Sequence, residues 1–266
     1  MKNSLNYLKK ILKVIIWPVV LMTGQFAINY IFVAIFNFKE KGNLTSHEFM
    51  DYIKSVEYQN KLTDYMNSNM LIITLVSALI FIPIFYLIFK KYKKENSYKL
   101  KDVILPILLG ITISLIYNIT LFNINNIFNF TNIFEIENVP IIIQIICSGL
   151  IGPILEELVF RGIVYNKLKE FNKPMKSIIL ASVIFALFHT NILNAIYAFG
   201  VSFMFIYLYE KYKTLKAPIL MHITLNITII LMIRVIVMNN MLINLSLVLI
   251  SVIILLIIKK ICIIEK

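Results

Sequence analysis

The chain has 266 residues, of which 59% are hydrophobic and only 15% charged, with a net charge of +12 and a mean hydropathy of +0.83. Soluble domains are nearer half apolar with about a quarter of their residues charged, so a soluble enzyme or several soluble domains are excluded in favour of one membrane-embedded helical unit over 1–266. The basic excess would suit nucleic acid, but its placement along the chain points to membrane topology instead.

In chain order, apolar segments predict helices over about 11–38, 70–89, 103–122, 139–166, 177–192, 193–209, 217–238 and 241–258. The expected architecture is an all-α polytopic bundle of about eight transmembrane helices. The basic start MKNSLNYLKKILK precedes an apolar stretch too long for a signal peptide and lacks a small-residue cleavage site, so it is read as an uncleaved first span. The 39–69 stretch mixes charges and is expected outside the bilayer, with room for a short amphipathic helix. With eight spans, 21 of the 26 Lys and Arg residues fall on one side, which places both termini in the cytoplasm. Merging the fifth and sixth segments would reverse everything after them. Ile, Asn and Lys abound throughout, as in a low-GC bacterial genome, and the expected location is the bacterial cell membrane. Cys147 and Cys262 both sit in apolar runs and read as small packing residues, not as a disulfide or a metal pair.

Polar groups inside the apolar segments carry the chemistry, because an ionisable residue at membrane depth costs several kcal/mol unless it is paired or functional. Within PILEELVFRG, Glu157 and Arg161 are four residues apart and can pair on one helical face, whereas Glu156 is turned by about 100° and can point elsewhere. Counting from Lys167 at the helical rise, Glu156 lies ~16 Å below the inner edge. In FALFH, Phe185 and His189 share a helical face, with His189 ~20 Å from Lys176. In HITLN, His222 and Asn226 stack on one face, ~9 and ~15 Å from Lys216. Arg234 is placed near the outer end of its helix, within snorkelling distance of the surface. His47, the third histidine, falls in the 39–69 stretch.

An acid, two imidazoles and an amide, brought by three helices to similar depth, can activate water and hold an oxyanion. No HExxH or GxSxG motif is present. Glu156, His189 and His222 are also the ligand types of a catalytic zinc site, but asparagine is a poor zinc ligand, and the expected site contains no metal or other cofactor.

The three motifs together resemble those of the CPBP family of intramembrane proteases (CAAX prenyl endopeptidase and bacteriocin-processing, also called Abi). EExxxR stands at Glu156–Arg161, FxxxH at Phe185–His189, and HxxxN at His222–Asn226; the resemblance covers about 140–235. It implies a glutamate-dependent endopeptidase acting on a membrane-associated peptide or protein. Glu156 would be the water-activating base assisted by His189. His222 and Asn226 would hold the oxyanion, and Glu157, Arg161 and Phe185 would support the site. Bacterial members are linked to bacteriocin immunity, so a non-catalytic immunity or regulatory module that binds a bacteriocin or surface partner is the alternative. A transporter would call for paired repeats, and none is evident in the sequence.

Overall fold

The computed structural model describes residues 2–93, 98–128, 139–189 and 192–235, with isolated helical positions Ser246, Leu249, Ser251 and Ile253 beyond them. No strand occurs among the described residues. The helices are α1 (Lys2–Lys41), α2 (Ser46–Tyr52), α3 (Val56–Phe89), α4 (Ile104–Phe128), α5 (Ile141–Lys169), α6 (Pro174–Leu187), α7 (Ile192–Tyr212) and α8 (Lys216–Val235). Five of them, α1, α3, α4, α5 and α7, are long and apolar enough to cross a membrane by length and composition, while α6 and α8 are shorter apolar helices. The seven segments expected between 11 and 238 thus each coincide with a helix. The predicted 241–258 span and Cys262 lie outside the described residues, apart from those isolated positions, and so does the side chain of Arg234.

The first two spans are much longer than their apolar runs. At 1.5 Å per residue α1 is ~60 Å long and α3 ~51 Å, against a hydrocarbon core of ~30 Å. Much of the 39–69 stretch is helix all the same, extending α1 and α3 past their apolar runs, with Gly42 at φ 43° ending α1. Phe36 packs on Tyr58 and Tyr65 at 5.5 and 5.1 Å between ring centroids. Tyr52 donates to Glu40 at 2.8 Å, and Lys61 pairs with Glu57 at 2.8 Å. Between them α2 starts at a capping box, in which Thr45 accepts from the Glu48 N–H and Glu48 accepts from the Thr45 N–H.

Helix α5 runs through the middle of the bundle, and Leu158–Tyr165 is buried on every side, as a central helix that is apolar all round must be. Its backbone widens to π-helical turns over Ile145–Ile151 and Leu158–Tyr165, flanking the α-helical stretch Gly152–Glu157. Both widenings have local causes. Pro153 offers no N–H and its ring crowds the carbonyl four residues back. In the second stretch, the Asn166 side-chain amide donates to the carbonyls of Arg161 and Gly162 at 3.1 and 3.0 Å, drawing them out of the helical ladder.

Helix α4 lies close against α8, and Gly110 allows that approach. A Cβ at Gly110 would come 2.7 Å from the Met221 carbonyl oxygen and 2.9 Å from Thr224 Cβ. Gly110→Val is expected to lower stability by roughly 1–3 kcal/mol, since backbone must yield. Thermal unfolding of the purified protein in detergent tests this, and an unchanged midpoint would contradict the close packing.

One expectation is corrected here. FALFH does not lie wholly on a helix: α6 ends at Leu187, and His189 follows in a turn, its N–H donating to Ala186 O at 3.0 Å. With 14 residues α6 is ~21 Å long, shorter than the hydrocarbon core. The apolar run through Leu187 and Phe188 conceals this stop.

Candidate active site

Glu156 and Glu157 leave α5 in different directions, as their rotation requires. Glu157 is wholly buried and Arg161 nearly so. Arg161 Nη1 donates to Glu157 Oε1 at 2.9 Å, and Nη2 donates to Ser202 Oγ of α7 at 2.9 Å. The guanidinium also lies 4.2 Å from the Phe185 ring centroid and 4.6 Å from that of Phe205, both favourable cation–π distances. The pair is thus compensated within its helix, by α6 and by α7.

His222 reaches the same carboxylate from α8, with Nδ1 2.9 Å from Glu157 Oε1. An ionised Glu157 accepts, which assigns the proton to Nδ1 and leaves Nε2 on the Glu156 side. Phe205 stacks on the imidazole at 4.7 Å and 26°, fixing the ring plane. Glu157 Oε2 is buried with no hydrogen-bond partner among the described residues. Ser202→Ala would deprive a buried guanidinium of one acceptor and is expected to cost about 1.5–3 kcal/mol. Unfolding midpoints of the two proteins check it, and equal midpoints would show that the contact contributes nothing.

Glu156 is the accessible carboxylate, its side chain about one third exposed. Its Oε2 lies 3.9 Å from His222 Nε2, the nitrogen that Glu157 leaves free. It lines two cavities. The larger, about 520 Å³, is shared with Asn226 and Ser148. The smaller, about 330 Å³, is shared with His189, Phe160 and Phe188. Asn226 Nδ2 donates to Ser148 O at 2.8 Å, which fixes the amide at the larger cavity and leaves its second N–H available. His189 Nδ1 lies 2.9 Å from Phe185 O, and its ring stands edge-on to Phe185 at 4.8 Å.

All seven residues singled out in the sequence therefore belong to one neighbourhood. Glu157, Arg161, Phe185 and His222 form a buried scaffold, while Glu156, Asn226 and His189 face cavities. Among the described residues, no three His, Cys, Asp or Glu side chains converge as a metal site. Ser202 and Phe205 escaped the sequence reading. A serine within an apolar helix was the available signal, but nothing local tied it to an arginine 41 positions away.

Residues 138–228 match the family model described as type II CAAX prenyl endopeptidase Rce1-like, and that segment contains all seven residues. The chain is also 33% identical over 90 residues to the "Putative membrane peptidase YdiL" of Bacillus subtilis (strain 168). That alignment takes in 34% of this chain and 37% of the relative, so it spans little more than a third of either protein. No solved structure matches the chain. The two matches support the CPBP family, the one that the three motifs resemble.

Proposed function

We propose that this chain, Rce1-like over residues 138–228, is an intramembrane endopeptidase that cleaves a membrane-associated peptide or protein with Glu156 as the general base. The observation that carries the reading is the pairing of an accessible carboxylate with an oriented imidazole: Glu156 Oε2 and His222 Nε2 stand 3.9 Å apart at a cavity wall. That gap is too long for a direct hydrogen bond. It suits a reacting group held between the two.

In this mechanism a water molecule gives its proton to Glu156 as its oxygen attacks the scissile carbonyl carbon. The C=O electron pair moves to oxygen, giving a tetrahedral oxyanion. Asn226 donates to that oxyanion from its amide, and His222 donates from Nε2–H when the imidazole carries both protons. Collapse restores the carbonyl and breaks the C–N bond. The proton held by Glu156 passes to the leaving amine, with His189 as its relay. Glu157 and Arg161 do not touch substrate; they hold His222 in place. The proposed chain spans the bacterial cell membrane with both termini in the cytoplasm.

The test is reconstitution in proteoliposomes with a library of quenched-fluorescent peptides. Wild-type protein should cleave, Glu156→Gln should not, and a chelator should change neither result. Chelator-sensitive cleavage would overturn the metal-free mechanism, and equal activity in both proteins would overturn Glu156 as base.

A further inference from the structure

The two cavities meet at Glu156, and the wall they share comes from α1: Met22, Gln25 and Phe26 line both. This wall lies far outside the Rce1-like segment of residues 138–228. Gln25 is its one side chain with a hydrogen-bonding group. The nearby Asn29 is engaged, its Nδ2 donating to the Gln25 carbonyl at 2.9 Å. The side-chain amide of Gln25 has no hydrogen-bond partner among the described residues, and the same holds for Asn67 on the opposite wall of the larger cavity.

We propose that Gln25 is a substrate-positioning residue, holding the extended backbone of an uncharged peptide that passes beside Glu156 from one cavity to the other. The proposal rests on the peptidase reading above. A helical substrate shields its carbonyls, so attack requires an opened backbone. Opening at membrane depth strands N–H and C=O groups that lipid cannot satisfy. A carboxamide supplies one acceptor and two donors and can meet both kinds of group. Of the residues lining both cavities, Gln25 and Glu156 carry the hydrogen-bonding groups, so a backbone passing between the cavities runs beside both.

The exclusion of charge follows from the linings. Glu156 is the sole Asp, Glu, Lys or Arg among the residues lining either cavity. An acidic side chain would be repelled by that carboxylate, and a basic one would pair with the base itself. The remaining walls separate two preferences. Beyond the shared residues, the larger cavity adds Asn67, Thr74 and Asn226, suiting small polar residues; the smaller adds Leu21, Phe160 and Phe188 beside His189 and Asn194, suiting an aromatic residue with a polar edge.

The experiment measures binding, so that it stands apart from catalysis. Protein carrying Glu156→Gln, in lipid nanodiscs, is titrated with fluorescein-labelled decapeptides built from Ala, Ser, Leu and Phe. Saturable binding is expected, weakened roughly tenfold by Gln25→Met, which keeps the side-chain size but removes the amide. An aspartate placed inside the decapeptide should weaken binding by a similar factor. Probes N-methylated at successive peptide nitrogens give a second measurement on protein that retains Gln25. One position should weaken binding where Gln25 is present and have no effect in Gln25→Met, a coupling that altered folding would not produce. An unchanged Kd in Gln25→Met, absence of any such position, or no saturable binding would each overturn the proposal. Binding without cleavage by wild type would instead count against the peptidase mechanism alone.

Discussion

Glu156→Gln is expected to lower kcat by ~10²–10⁴-fold, the usual contribution of a positioned general base. The substitution preserves shape and hydrogen-bonding reach but removes the ability to take a proton from water. The protein should remain as stable as wild type. Glu156 is about a third exposed, and His222 is 3.9 Å away; partly exposed pairs contribute little. KM should stay within a few-fold, because the amide still lines both cavities. Initial rates on a cleaved library peptide, with the unfolding midpoint as control, read both quantities. Full turnover in the variant would move the proton-accepting role to another group, His189 first.

Arg161→Met is expected to be the most destabilising single change in the site, costing about 3–5 kcal/mol, because it strands a buried carboxylate. Glu157 would keep His222 Nδ1 on Oε1 but lose the guanidinium, and its Oε2 already has no partner among the described residues. Membrane depth makes this worse, since no solvent is at hand to hydrate the stranded charge. The double change Glu157→Leu/Arg161→Met should recover much of the lost midpoint, because removing both members of a buried pair is often near neutral. It should nevertheless remain inactive, as His222 would then lack the acceptor that sets its tautomer. This split between recovered stability and lost activity separates a positioning pair from a mere packing pair. An Arg161→Met protein that unfolds at the wild-type temperature would show that the pair contributes nothing.

The same residues show how far a sequence reaches. Apolar run length dictated the class of the protein and the position of seven helices, since burying backbone in lipid leaves few options besides helix. Spacing within one helix was equally legible: Glu157 pairs with Arg161 four positions on, and Glu156, rotated away, points elsewhere. The extra turns of α1 and α3 beyond the bilayer were not legible, because contacts such as Phe36 with Tyr65 stabilise a mixed-charge stretch that propensity leaves undecided. Nor was the end of α6, because Phe188 continues the apolar pattern while the backbone turns.

What the order of residues determined by itself was a helical membrane chain with a few polar groups at shared depth. Which of two adjacent glutamates is buried and which meets a cavity, that Glu157 orients His222 across 65 residues, and that Ser202 and Gln25 join the site were decided only by tertiary packing. The physical reason is that helical periodicity relates a residue to neighbours three or four positions away. The partners of a buried charge are chosen by which helices come to lie side by side, and small residues such as Gly110, along with backbone widenings such as those of α5, set that arrangement.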